Sequence, residues 1–402
     1  MSSQKTEMHR QVALLSAAQA LFQTVSVLVM TIGALAGSIL APSPEWATAP
    51  IAAMFLGTAV GTVPASAWMS RVGRRIGFVA GALLGTVGGL LAAAGMIFSS
   101  LLLLCLGTFL VGTYQSFAQF YRFAASEVAD DAFRPRAISL VLAGGVVAAL
   151  AGPALARLGG DLMVPTYTAS FVILAGVSLL GAVVLLGLRI PAPAAAQAGS
   201  AAARPLLDIM RQPTYLVALF GAASGYGIMI LAMTATPLAM VHHQHGLGET
   251  ATVIQLHVLG MFLPSFFTGS LIARFGVLQV MLTGVLLLAG HVLLSLSGTG
   301  FYSFASALVL LGIGWNFLYV GGTDLLTRTY ATSEKAKAQA ANDLTIFVVG
   351  LMASLSAGAL HSSIGWQTMN IWLLPWLAAA AGAVLWLQRS GTERVTTGGS
   401  RS

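Results

Sequence analysis

Ser66-Ala67-Trp68-Met69-Ser70-Arg71-Val72-Gly73-Arg74-Arg75 is a short basic segment between two apolar runs, each long enough to cross a bilayer. The chain repeats the arrangement at Gly269-Ser270-Leu271-Ile272-Ala273-Arg274-Phe275-Gly276-Val277, where Arg274 and Gly276 stand 203 residues after Arg71 and Gly73. Further on the offset becomes 206: Gly144, Gly152 and Gly159 return as Gly350, Gly358 and Gly365, and Arg122 returns as Arg328. The chain therefore reads as two copies of one membrane unit of roughly 200 residues.

Composition sets the class. Hydrophobic residues make up 57% of the 402 positions and charged residues 8%. A soluble domain carries about 25% charged residues, so this is an integral membrane protein. A hydrocarbon core about 30 Å thick needs roughly 20 apolar residues per helix. That length predicts an all-α fold of twelve crossings in two six-helix halves. The first half holds Leu14–Leu35, Thr48–Met69, Ile76–Phe98, Leu101–Phe123, Ala137–Leu158 and Val164–Leu188. The second holds Thr214–Met240, Ala251–Ala273, Val277–Leu296, Phe301–Leu325, Ala341–His361 and Trp366–Leu387. The runs are continuous rather than alternating, which excludes a barrel. The domains expected are bundles over 1–190 and 214–388, a cytoplasmic linker over 191–213 rich in Ala, Pro and Gly, and a polar tail over 389–402. Leu14–Leu35 exceeds the roughly 7–15 residues of a signal core, so the first run is read as a retained helix.

The net charge of +7 raises the question of nucleic acid, and its placement answers it. With the N-terminus in the cytoplasm, eighteen of the nineteen Lys and Arg residues fall on the cytoplasmic side, and only Arg157 falls outside. The excess is a topology signal that also meets anionic lipid heads, in a bacterial-type inner membrane with both termini inside. Cys105 is the single cysteine and offers neither a disulfide nor metal-ligand spacing. His242, His243 and His245 share an external loop; three histidines can hold a metal, but a solvated polar loop is the reading preferred.

Polar groups inside apolar spans must be satisfied there, so they mark either helix contacts or a cavity. In the fourth crossing Thr108, Gly112, Gln115, Gln119 and Arg122 follow spacings of four, three, four and three, which puts them on one stripe with Tyr114 beside it. In the first crossing Ser16, Gln19, Gln23 and Ser26 make a similar stripe. The tenth offers Trp315, Asn316 and Tyr319, and the seventh Ser224 and Tyr226. No Asp, Glu, Lys or Arg lies near the middle of a crossing, which favours an uncharged solute. Amides read donors and acceptors, and aromatic faces stack on planar rings. The predicted binding set is Gln19, Gln23, Tyr114, Gln115, Gln119, Tyr226, Trp315, Asn316 and Tyr319. A vitamin-like heteroaromatic such as a flavin ranks first, with a sugar-like polyol or a neutral drug behind it. Glycines at Gly77, Gly81, Gly85 and Gly89 form a ridge on the third crossing for close helix contact.

These features together resemble the major facilitator superfamily of secondary transporters. The most specific element is the basic loop, where Arg71, Gly73, Arg74 and Arg75 match the family pattern, with Ser70 in place of its usual Asp and Ser66 in place of its Gly. Gly152-Pro153 is similar to the Gly-Pro signature of the family's antiporters, and Glu127 with Arg134 matches a Glu-x6-Arg spacing of its sugar porters. Thr108 stands where many proton-driven exporters of the family carry an arginine. The resemblance implies alternating access about a site built from the first, fourth, seventh and tenth crossings. It assigns gating to Arg71, Gly73, Arg74, Arg75, Arg122, Gly152, Pro153, Arg274 and Asp343, with Asp343 facing Arg71 or Arg74 as a latch in the outward-open state. The expected partners are a small-molecule solute and the bilayer, with no cofactor, a monomeric carrier, and protons as an alternative coupling ion carried by His257, Asp324 or Glu127. A proton-coupled efflux pump is the alternative within this class. A membrane sensor or an embedded enzyme is the alternative outside it, and the chain offers no sizeable soluble domain or catalytic constellation for either.

Overall fold

A computed structural model describes residues 2–129, 137, 140, 141, 143–190, 204–331 and 334–391. Arg134, the linker residues 191–203 and the tail from 392 lie outside the described residues. All regular structure among the described residues is helical. Among the described residues, nine helices are long and apolar enough to cross a membrane. One of them, 337–389, would be about 80 Å long as a straight helix, far more than one bilayer. It is two passes, parted at Gly365 (φ 75°) and at Trp372. The eighth crossing is broken into Leu247–Phe262 and Ser265–Phe275, bent by 42°. The fifth is the shorter apolar helix Gly144–Gly159. With these the twelve expected crossings are accounted for.

The duplicated loops share a backbone conformation as well as a sequence. Gly73 (φ 89°, ψ 160°) ends Ala49–Val72 and precedes Arg74–Ile97. Gly276 (φ 88°, ψ 150°) does the same between Ser265–Phe275 and Val277–Leu296. Neither glycine has an atom crowding its missing Cβ, so the requirement is for the torsion, which only glycine adopts cheaply.

Glycine decides the packing elsewhere. A Cβ on Gly57 of the second crossing would strike the backbone of Phe109, and one on Gly112 of the fourth would strike that of Met54. The two helices therefore meet backbone to backbone, and Thr58 Oγ1 donates to the Gly112 carbonyl at 3.1 Å. The ridge on the third crossing serves several neighbours: Gly81 and Gly85 take Phe117 and Tyr114 of the fourth crossing, Gly89 takes Ala175 of the sixth, and Gly77 takes Met69. Gly144 of the fifth crossing lies on Ala20 and Ser16 of the first, and its counterpart Gly350 of the eleventh lies on Tyr226 and Ile230 of the seventh. The repeat is thus one of contacts too.

The halves touch at the end opposite the basic loops. There Val27–Gly37 of the first crossing and Ile228–Pro237 of the seventh are buried on every face. Thr48 Oγ1 donates to the Ser354 carbonyl at 2.8 Å, across 306 residues of sequence. Toward the basic end, a core of Leu15, Phe22, Met69, Phe78, Tyr114 and Leu185 packs apart from the core that the two halves share. Among the described residues, the halves are packed together at the far end.

Two charge clamps brace that basic end. Arg74 donates to Glu127, which follows the fourth crossing, at 2.7 and 3.4 Å. In the second half, Glu334 follows the tenth crossing, and its arginine comes from the end of the linker. Arg204 donates to it from Nε (2.8 Å), from Nη2 (2.7 Å) and from its backbone N–H (2.9 Å). Hydrogen bonds from Arg204 hold the Glu334 carboxyl down at about 2. A carboxyl depressed in the folded state contributes stability above its ordinary 4.5, and the contribution is lost as pH falls toward 2. Protection against hydrogen exchange over 204–212, corrected for intrinsic rates, is therefore expected to stay level from about pH 5 to 8. Glu334→Gln is expected to lower it several-fold at every pH in that window.

Candidate binding cavity

A cavity of about 170 Å³ lies between the halves at mid-depth. Its two walls differ in chemistry. The first half contributes Gln19, Gln23 and Ser26 from the first crossing and Gln115, Gln119 and Arg122 from the fourth. The second half contributes Tyr226, Phe262, Trp315, Tyr319 and Phe347. Met30, Met54, Met229 and Met233 are buried in the lining and offer an adaptable apolar surface.

Each wall follows from local structure. The spacing of four and three on the fourth crossing brings Gln115, Gln119 and Arg122 to one face, and the helix Leu101–Ala118 stops at Gln119 before resuming as Tyr121–Val128. On the tenth crossing, Trp315 and Tyr319 are one turn apart and stack, with ring centres 5.0 Å apart and planes 14° from parallel. Tyr226 tilts onto Tyr319 at 6.2 Å, and Phe262 meets Trp315 edge-on at 6.2 Å. The result is an aromatic wall opposite a row of amides. Gln115 Oε1 and the Trp315 indole N–H, both in these walls, are buried with no hydrogen-bond partner among the described residues. Buried polar groups are nearly always paired, so an acceptor and a donor left open in a cavity wall are available to a solute or to water.

The structure brings together seven of the nine residues in the predicted binding set: Gln19, Gln23, Gln115, Gln119, Tyr226, Trp315 and Tyr319. Two lie elsewhere. Tyr114 is fully buried behind the wall, edge-on to Phe22 at 5.2 Å and seated over Gly85. Asn316 turns toward the eighth crossing. It donates to the Met261 carbonyl at 2.8 Å and to Ser265 Oγ at 2.7 Å, and accepts from Thr268 at 2.7 Å. That crossing breaks around Pro264, which has no N–H to give, and Asn316 re-pairs the backbone at the break.

The gating residues are spread out. Arg71 and Arg75 are exposed at the basic loop, Arg74 is held by Glu127, and Arg274 lies over Phe275. Asp343 does not meet Arg71 or Arg74 in this conformation; the cation in electrostatic reach of it is Arg122. Gly152 and Pro153 sit within the fifth crossing, against the first. His257 is buried and donates from Nδ1 to the Leu308 carbonyl at 2.8 Å, outside the cavity. In the loop after the seventh crossing, His245 is bound by Glu249 at 2.7 Å. The cavity residues missed in the sequence are apolar, among them Phe22, Phe55, Phe262, Phe347 and the methionines. An apolar residue in an apolar helix carries no mark that separates cavity wall from core.

Comparisons with known proteins agree with this architecture. The family model described as Major Facilitator Superfamily matches residues 12–263 and 217–402. The riboflavin transporter RfnT of Brucella anthropi is 40% identical over 373 residues, covering 92% of this chain and 93% of that protein. The uncharacterized MFS-type transporter YdeG of Bacillus subtilis is 28% identical over 364 residues, covering 85% and 83%. Among solved structures, a bacterial homologue of the human lysosomal transporter Spinster, inward-facing and occupied, superposes with a TM-score of 0.73 at 15% identity, covering 94% of this chain and 96% of that one. The nucleoside transporter NupG, in a mutant form, gives 0.69 at 14% identity, covering 92% and 99%. The repeated loops, the twelve crossings and the mid-depth cavity between two halves thus have one common explanation: the chain belongs to the major facilitator superfamily and is a multi-pass membrane transporter.

Proposed function

We propose that the protein carries a neutral, planar heteroaromatic solute of the flavin class, with riboflavin as its representative. One observation carries this reading: a stacked Trp315–Tyr319 surface faces a row of glutamines, in a chain 40% identical to a riboflavin transporter. A tricyclic flavin ring offers flat faces for the aromatic wall and a carbonyl and imide edge for amides. Its hydroxylated side chain suits Gln19, Gln23 and Ser26 at the polar wall. The basic end is the cytoplasmic end, because that is where the Lys and Arg residues gather, and both termini lie there. The bundles 1–190 and 214–388 rock as units about the cavity, and the monomer is the working unit. The protein moves its solute without chemical change.

The test is transport by the purified protein in vesicles. Riboflavin is expected to cross saturably and to exchange against riboflavin trapped inside. Its fluorescence is expected to be quenched on binding beside Trp315. Neither flux nor quenching at concentrations up to its solubility would defeat the flavin reading. Competition by a polyol or a neutral drug, with riboflavin inert, would favour the alternative solutes.

A further inference from the structure

A second cavity, of about 550 Å³, lies at the far end, where the halves are packed together. It forms at the turn between the eleventh and twelfth crossings. That turn is made at Gly365 (φ 75°), with His361 before it and Trp366 and Gln367 after it, and all three line the cavity. His242 and His243, at the end of the seventh crossing, supply another wall. Pro44 joins the lining from the first half. The carbonyl of the next residue, Glu45, lies against Gly358, about one turn before His361.

The chemistry of this lining is one-sided. Imidazoles, an indole, an amide and hydroxyls can all donate hydrogen bonds, and none of the described residues lining the cavity is Asp, Glu, Lys or Arg. The His242 ring stands 5.2 Å from that of His243 and 6.1 Å from that of His361. The Trp366 side chain is 3% exposed and meets Phe304 at 5.3 Å and His291 at 6.4 Å. Its indole N–H has no hydrogen-bond partner among the described residues, and neither has His361 Nδ1. The charged and titratable groups on the packed elements can be named. Glu249, at the start of the eighth crossing, is bound to His245 at 2.7 Å. The Glu45 carboxyl takes a hydrogen bond from Ser43. Arg157, at the end of the fifth crossing, lies beside Gly248. His291 is bonded to the Ala307 carbonyl and to Asn370 Oδ1.

Clustered imidazoles suit two ligand chemistries. Neutral rings take a transition metal, and protonated rings take an anion. Among the described residues, no group of histidines, cysteines and carboxylates is disposed to hold a metal ion. An indole N–H cannot coordinate a metal, but it can donate to an oxyanion. We propose that this cavity binds a small tetrahedral oxyanion of the sulfate or phosphate kind, held by His242, His243, His361 and the Trp366 N–H, with protons taken up by the imidazoles as it binds. Burial and the neighbouring His242 and His245 hold His243 below the ordinary imidazole value of 6.5, so it is neutral at pH 7. A bound anion favours the charged ring, so affinity rises as pH falls. Because Pro44 belongs to the other half, an occupied site also braces the packed far end.

The test needs no transported solute and does not depend on the flavin reading. Sulfate is the probe, because its charge is constant from pH 5 to 8 whereas that of phosphate is not. Titrated calorimetrically into the purified full chain, it is expected to bind at pH 5.5 and roughly tenfold or more weakly at pH 8. His243→Asn and His361→Gln are each expected to weaken binding at pH 5.5 by roughly tenfold and to flatten the pH dependence, while Arg157→Gln leaves both unchanged. Thermal unfolding without sulfate checks that the variants fold. His243 is exposed, so His243→Asn carries the test if His361→Gln does not fold. Sulfate at pH 5.5 is also expected to raise hydrogen-exchange protection over 43–48, on the first-half side of the cavity. Binding that ignores pH, or survives the histidine substitutions, marks an adventitious ion only and overturns the proposal. Loss of binding in Arg157→Gln, unchanged protection over 43–48, or no binding at all would overturn it as well. Zinc bound through the same histidines, with sulfate inert, would assign the cluster to a metal instead.

Discussion

Replacing Trp315 by Ala is expected to weaken riboflavin binding between roughly tenfold and a hundredfold. Stacking of a planar base on an aromatic side chain is worth about 1–3 kcal/mol by alanine substitution, and each 1.4 kcal/mol is about a factor of ten. Trp315 also orients Tyr319, with rings 5.0 Å apart, and receives the edge of Phe262 at 6.2 Å. Truncation therefore loosens the rest of the aromatic wall. Trp315→Phe separates the two contributions. It keeps a stacking face and removes the unpaired indole N–H, so its cost is expected to be only several-fold. Equilibrium quenching of flavin fluorescence measures both. Equal affinity in wild type and Trp315→Ala would place the solute elsewhere.

Replacing Gly112 by Leu is expected to leave no folded protein to recover. The first side-chain carbon would land on the Met54 carbonyl, and the same contact from the other side has Gly57 against Phe109. Neither backbone can retreat without breaking the Thr58 hydrogen bond to Gly112 and parting the second crossing from the fourth. Overpacking on this scale exceeds the roughly 1–3 kcal/mol of ordinary core strain. Gly176→Leu is the matched control, since nothing lies within 4 Å of a Cβ there. Size-exclusion profiles of detergent extracts distinguish the two, and a monodisperse Gly112→Leu would show that the close helix contact is dispensable.

Much of the fold was legible in the chain because membrane packing writes it in glycine and charge. The repeat of Arg71 and Gly73 at Arg274 and Gly276 announced a duplicated loop, and both glycines adopt the same left-handed torsion. The stripes of glutamine on the first and fourth crossings were legible because an amide in an apolar helix has few reasons to be there. Asn316 shows the limit of that argument. Its environment is equally apolar, but the reason for its amide is a broken helix next door. Pro264, inside the eighth crossing, was the available signal of that break. The aromatic wall was half visible. Trp315, Tyr319 and Tyr226 carry polar atoms and stood out, whereas Phe262 and Phe347 looked like any core residue. Which end is closed had no signature at all. It depends on contacts such as Thr48 with Ser354, which no local pattern predicts.

The central claim is that one mid-depth cavity is reached from each side in turn and holds the solute in between. Ser26 is the residue to report on it, being small, partly exposed and in the cavity wall. In a Cys105→Ala background, Ser26→Cys would be reacted with a membrane-impermeant maleimide from either face of oriented vesicles. Reaction is expected from the cytoplasmic face at rest, from the opposite face during turnover, and more slowly from both once riboflavin is bound. Reaction from one face under every condition, at a rate riboflavin does not change, would contradict it.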